Sequence, residues 1–277
     1  MNPLKSRKTL ILLAGPGFIF LLCFFFLPLL YVLMESFRGV DNQITLSRYF
    51  DVLVDAQFQL VFKRTLRIAL IVTPIAVLVG YPTAYYISKL KSKKKSILTT
   101  LVILPLMTSP VARTYAWIVI LGKFGIVNET LTTLHIIAEP MRILYTETAI
   151  VLGLLQLFMP ILILTVSSSL ENVNSEVEEA ALSLGSNRIG VFFRVVVPLS
   201  FEGLIMGVTL VFTGCFTAYV TPAILGGANV LTLSTLMREQ ALVLMNWESA
   251  TVIAVIMIIT TLILYNGIRA FRPRNMA

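Results

Sequence analysis

Six apolar runs, at about residues 10–34, 66–88, 97–121, 148–170, 203–225 and 250–268, decide what this chain can become. Each is near the ~20 residues that cross a bilayer's hydrocarbon core as a helix, where backbone N–H and C=O groups must be paired within the segment. Of the 277 residues, 57% are hydrophobic and 13% charged. A water-soluble domain so composed would expose apolar patches too large for solubility. The reading is an all-α integral membrane protein with six transmembrane helices, forming a single transmembrane domain over 1–277. Lys5, Arg7 and Lys8 precede the first run as in a secretion signal. The run exceeds the ~7–15 residues of a signal core and has no small-residue cleavage site, so it reads as an uncleaved first span. Pro74 and Pro82 lie in the second run, and Pro105, Ser109, Pro110 and Arg113 interrupt the third. Packed neighbours make such prolines tolerable in a membrane helix.

The basic residues set the orientation. Of 22 Lys and Arg, 13 fall on the side holding the N-terminus, the 89–96 loop, the loop at about 171–199 and the C-terminus with Arg269, Arg272 and Arg274. The opposite loops, which include Asp41, Arg48, Lys123 and Arg238, hold 7. The bias places both termini and the 171–199 loop in the cytoplasm. The Lys89-Leu90-Lys91-Ser92-Lys93-Lys94-Lys95 cluster joins two spans and reads as a cytoplasmic anchor. The net charge of +8 therefore does not point to nucleic acid, and no nucleic-acid motif accompanies it. Cys23 and Cys215 sit inside apolar runs and His135 stands alone, so neither a disulfide framework nor a metal site is expected.

The longest polar segment that reads as structured is Ser175 to Pro198. Ser175 is expected to cap a short helix, with Glu178 closing a capping box. Gly185 suits the left-handed position that ends such a helix. Asn187 and Arg188 reopen a polar turn, Val191 to Val197 lead back to the membrane, and Pro198 can re-aim the next helix. The spacing Glu179-Ala180-Ala181, three residues, Gly185, nine residues, then Val195, any residue, Val197 and Pro198 resembles the EAA loop of ABC importer permeases. Val195 and Val197 stand where that family usually has Ile and Leu.

The resemblance implies a type I ABC importer permease (MetI-like) fold. It implies that Glu178, Glu179, Ala180, Ala181, Gly185 and Pro198 belong to the coupling loop that docks on an ATPase. Small Ala180 and Ala181 would permit close approach. The implied partners are two ATP-binding cassette ATPase subunits, a second homologous permease, an extracytoplasmic substrate-binding protein and the lipid bilayer of a bacterial cytoplasmic (inner) membrane. ATP and Mg would be bound by the ATPase, leaving this chain without a cofactor and without bond chemistry. The residues agree. No Gly-x-x-x-x-Gly-Lys-Ser/Thr loop is present, and Gly122-Lys123 lacks the glycine framework that cradles phosphates. An ATP-independent secondary transporter would place ionisable residues in mid-membrane. Here Glu35, Glu202 and Glu248 lie at span ends, and Arg113 is the charge deepest in a run.

Gly80-Tyr81-Pro82, Leu104-Pro105-Leu106-Met107-Thr108-Ser109-Pro110 and Tyr219-Val220-Thr221-Pro222-Ala223-Ile224-Leu225-Gly226-Gly227 further resemble the spermidine/putrescine branch of these permeases. Branch relatives carrying opines, aminophosphonates or other small solutes supply the alternative. A polyamine shedding water needs carboxylates or aromatic faces, and no mid-span carboxylate is visible. Tyr115, Trp117, Phe216 and Tyr219 could offer cation–π contacts of roughly 0.5–2 kcal/mol each, against the ordinary role of lipid-facing packing. With Thr221 and Arg113 they form the candidate translocation path. Arg113 would repel a cation unless it snorkels outward or pairs with a carbonyl freed by Pro110.

Overall fold

The computed structural model describes residues 7–38 and 43–270. Lys5, Asp41, Arg272 and Arg274 lie outside the described residues. Apart from one bridge between Arg38 and Ile44, every regular element among the described residues is helical. In chain order these are α1 (Arg7–Leu21), α2 (Leu27–Ser36), α3 (Ser47–Val54), α4 (Ala56–Ser88), α5 (Ser92–Met107), α6 (Pro110–Leu121), α7 (Ile126–Thr133) and α8 (Glu147–Glu171). There follow α9 (Ser175–Ser183), α10 (Arg188–Val191), α11 (Val197–Leu199), α12 (Phe201–Thr217), α13 (Val220–Leu225), α14 (Leu233–Arg238) and α15 (Trp247–Ala270). Among the described residues, five stretches are long and apolar enough to cross a membrane, and six if the bent pair Arg188–Leu199 with Phe201–Thr217 is one span.

Prolines explain much of the segmentation. A π turn, Leu22–Phe26, joins α1 to α2, and another, Phe192–Val196, joins α10 to α11. Each ends just before a residue that precedes proline, Leu27-Pro28 and Val197-Pro198. Proline cannot donate to the carbonyl four residues back and its ring crowds that carbonyl, so the helix widens there. The third run, read as one span, is two helices. Thr108 and Ser109 are extended between α5 and α6, as expected ahead of Pro110. The fifth run also breaks: α12 ends at Thr217, and α13 starts after Ala218 and Tyr219. Pro222 lacks the N–H that would reach the Ala218 carbonyl. Ser234 Oγ donates to that carbonyl instead, at 2.5 Å.

The chain divides into two compact units, Met1–Phe58 with Met237–Ile258, and Gln59–Leu236 with Ile259–Ala277. In the first, Ser36 Oγ and Tyr49 Oη lie 2.7 Å apart, the Phe37 and Tyr49 rings are 5.3 Å apart, and Arg48 pairs with Glu248 at 2.6 Å. These contacts tie α2, α3 and the start of α15 together. The surfaces of α1, α2 and the π turn between them are apolar, with Phe18, Phe24 and Leu27 exposed, as suits a helix bathed in lipid.

The second unit is organised around α8, whose buried residues include Ala149, Ile150, Leu154, Leu162 and Val166. Helix α12 packs along it through Gly203 and Gly207, the small-xxx-small spacing that lets membrane helices approach closely. A Cβ on Gly207 would lie 2.6 Å from Thr165 Oγ1. Side chains of α4, Ile68, Val72, Ala76 and Tyr81, complete the core. At one end, Glu147 at the start of α8 pairs with Arg64 at 3.2 Å and Arg67 at 2.5 Å, and Arg64 also donates to the Leu231 carbonyl. Thr65 Oγ1 accepts the Leu233 N–H, which fixes the start of α14.

Candidate functional site: a clamped surface helix and the membrane stem beneath it

Helix α9 is short, polar and capped at both ends. The N-cap is Asn174, whose side chain accepts the Glu176 N–H at 3.0 Å. Ser175 is instead the first helical residue, which corrects the expected capping box. An Asn cap satisfies the same orphan N–H groups, so the residue type does not decide between adjacent positions. Glu178 is not spent on a cap either. Its carboxylate pairs with Lys89 at 2.5 Å and its side chain is 12% exposed. At the other end, Gly185 has φ +90. The Ser186 N–H bonds the Ala181 carbonyl and the Gly185 N–H that of Leu182, completing a Schellman turn. Asn187 caps the next turn by accepting the Gly190 N–H at 2.7 Å.

The outer surface of this segment is apolar as well as acidic. Leu184 is 88% and Ile189 70% exposed, with Val177, Leu182 and Phe193 also exposed. Glu179 and Ala180 face outward, and Ala181 is half-buried. Pro198 is half-buried in α11, two residues before the 71° bend at Ser200.

Three contacts clamp the segment to the membrane helices. Lys89, one residue past α4, holds Glu178 and lies 5.5 Å over the Tyr85 ring. Phe192 packs edge-on against Tyr81 at 5.6 Å and Tyr85 at 5.2 Å. Tyr81 Oη meets Ser200 Oγ at 2.5 Å, inside the bend that opens α12. These contacts tie the segment to α4 and to the root of α12. Lys95 adds a pair with Glu171, at the end of α8, at 2.9 Å.

The candidate path residues scatter. Phe216 is fully buried against Phe62, and Thr221 is buried against Gly153. Trp117 is half-buried, with its indole N–H donated to Gln156. Tyr115 and Tyr219 are exposed. Arg113 donates to the Pro105 carbonyl, at the break between α5 and α6, rather than to one freed by Pro110. A cavity of about 240 Å³ beside α12 is lined by Glu202, Met206, Thr209, Tyr265 and Arg269.

Residues 73–276 match the family described as binding-protein-dependent transport system inner membrane component. The chain belongs to that family. This permease is 34% identical over 265 residues to the spermidine/putrescine transport system permease protein PotB of Haemophilus influenzae, covering 93% of this chain and 92% of that one. It is 31% identical over 233 residues to the protein of the same name from Escherichia coli, covering 82% and 84%. Its fold is that of a chain in the crystal structure of a bacterial ABC transporter involved in the import of the acidic polysaccharide alginate. That match has TM-score 0.75 at 16% identity and covers 98% of this chain and 96% of that one. A second structure, the bacterial alginate transporter in complex with alginate pentasaccharide-bound periplasmic protein, matches with TM-score 0.75 at 17% identity, covering 96% and 94%. The permease is thus an inner-membrane, non-catalytic subunit with the MetI-like ABC importer fold.

Sequence reasoning passed over Lys89 and Phe192. Lys89 read as one lysine of an anchor cluster and Phe192 as part of an apolar return. Their roles come from Glu178, Tyr81 and Tyr85, which are remote in sequence.

Proposed function

We propose that this permease imports a polyamine of the spermidine/putrescine class, and that α9 and the turn after it form its coupling element. The solute assignment rests on likeness to PotB proteins across nearly the whole chain. The fold alone does not select solute charge, since it also serves an importer of an acidic polysaccharide. The mechanism is supported by one observation: a capped helix, clamped through Glu178, followed by turns that present Leu184 and Ile189 outward.

In this reading the 171–199 loop and both termini face the cytoplasm. Two ATPase subunits, which bind ATP and Mg, dock from that side, and one receives Leu182, Leu184 and Ile189 in a groove. A second, similar permease completes the pathway, and a binding protein delivers solute from outside. When the ATPases close, α9 moves as a body. The Glu178–Lys89 pair and the Phe192 aromatic contacts carry that motion into α4, while Ser200 carries it into α12, so the spans tilt and access alternates. Tyr115 and Tyr219 are the exposed aromatics available to a cation.

The test is ATPase activity of the complex, co-expressed from neighbouring genes and reconstituted in lipid, with its binding protein and either spermidine or putrescine. Stimulation by a polyamine is expected. Stimulation by an opine or aminophosphonate alone would overturn the solute and keep the machinery. Uptake driven by an ion gradient, with no ATPase co-purifying, would overturn both.

A further inference from the structure

The turn between α4 and α5 concentrates positive charge: Lys89, Lys91, Lys93, Lys94 and Lys95 fall within one short stretch. Like charges so close repel one another. Two of them are answered inside the protein, Lys89 by Glu178 at 2.5 Å and Lys95 by Glu171 at 2.9 Å. Lys91, Lys93 and Lys94 are exposed. Lys93 and Lys94 stand in the first turn of α5, which carries no acidic residue and where the helix dipole also disfavours cations.

The helix below these lysines indicates which kind of anion meets them. One face of α5 is turned inward. Leu98 and Val102 pack against the core, and Lys95, three residues before Leu98, reaches the end of α8 from that side. The other face carries Ile97, Leu101 and Leu104, all exposed. Lys93 precedes Ile97 by four residues and Lys94 by three, so both stand at the end of this outward apolar stripe. Tyr86, in the last turn of α4, is exposed too, and such tyrosines gather at the level of lipid headgroups. An apolar stripe that ends in cations fits an amphiphilic anion, with acyl chain along the stripe and phosphate at the lysines. A soluble anion would use the lysines and leave the stripe uncovered. The chain belongs to an inner-membrane family, so lipid is at hand.

We propose that Lys91, Lys93 and Lys94, with the Ile97, Leu101 and Leu104 stripe beneath them, form a site for an anionic phospholipid. A lipid held there steadies the turn from which Lys89 reaches α9 and Lys95 reaches α8. The site depends neither on which solute is carried nor on the coupling role of α9.

The test uses the complete permease–ATPase complex. In neutral detergent, binding of phosphatidylglycerol with a fluorescent acyl chain is compared with that of phosphatidylcholine carrying the same chain. Each lysine beside an anionic lipid contributes a factor of about five, so the wild-type complex is expected to prefer phosphatidylglycerol roughly 10- to 100-fold, less at high salt. The triple variant Lys91→Gln, Lys93→Gln, Lys94→Gln is expected to lose the preference, and the triple variant with arginines to keep it. Undiminished preference in the glutamine variant would overturn the site. Displacement of the lipid by excess inorganic phosphate at constant ionic strength would assign the lysines to a free anion and overturn the lipid. A second measurement leaves every lysine in place and so holds even if the glutamine variant fails to insert. With Ile97→benzoylphenylalanine in vesicles of equal phosphatidylcholine and phosphatidylglycerol, irradiation is expected to crosslink phospholipid. Crosslinking to a second permease or an ATPase chain instead would show that protein covers the stripe and would overturn the proposal.

Discussion

At Gly185 the backbone holds φ +90, which a β-branched side chain tolerates badly, at a cost of about 1–2 kcal/mol. A Cβ there would meet nothing within 4 Å, so the penalty is conformational and not a clash. Gly185→Val is therefore expected to insert normally but to misdirect the Schellman turn. Uptake should fall roughly 5- to 30-fold, since ~1.4 kcal/mol corresponds to a factor of ten. Glu179→Lys, on the outward face of the same helix, should likewise spare insertion and uncouple uptake from ATP hydrolysis. Immunoblots of membrane fractions alongside uptake assays check both, and normal uptake in the pair would remove the coupling role. The Glu178–Lys89 contact gives a sharper test because charge reversal is possible. Lys89→Glu alone should impair uptake, and Lys89→Glu with Glu178→Lys should recover a large part of it. Equal loss in the double variant would mean that the pair does not transmit motion. Gly185 could be singled out from spacing alone, because one residue type suits a left-handed position. Lys89 could not, because nothing local distinguishes it from Lys91 or Lys93.

Elements are held apart or together by a few small contacts. The α8–α12 seam depends on Gly203 and Gly207, and a Cβ on Gly207 reaches Thr165 Oγ1 at 2.6 Å and Leu162 Cγ at 3.3 Å. Gly207→Val is expected to force the two helices apart, at about 1–3 kcal/mol for overpacking a tight contact. The readout is a lower melting temperature of the purified complex and less protein in the membrane. Ser234 acts at the break after α12. Ser234→Ala would leave the Ala218 carbonyl, already deprived of a partner by Pro222, with no donor. An unpaired carbonyl costs up to about 1–3 kcal/mol when fully buried and less at this half-buried site, so a modest drop in thermal stability is expected. An unchanged melting curve would show that water takes over the bond. The sequence announces helix breaks through Pro110 and Pro222, but not how completely each run divides. That depends on whether a donor such as Ser234 comes from elsewhere to meet the freed carbonyl.

For the molecule in its membrane, orientation is the property to measure. Single cysteines in a background lacking Cys23 and Cys215 report it directly. Glu129→Cys is expected to react with a membrane-impermeant maleimide in spheroplasts, and Lys94→Cys only after the membrane is opened. The reverse pattern would invert the topology and take the 171–199 loop away from any cytoplasmic ATPase. What the amino acids determine by themselves is the class. Apolar length dictates helices that cross a bilayer, and the Glu179 to Pro198 spacing marks the family, because each acts locally or against a uniform solvent. What tertiary structure alone decided is which side chains meet. Glu178 found Lys89, Phe192 found Tyr81 and Tyr85, and Phe216 and Thr221 were buried among other helices. Those outcomes depend on groups that lie far apart in the chain and meet only when the helices pack, and no local pattern of residues encodes such meetings.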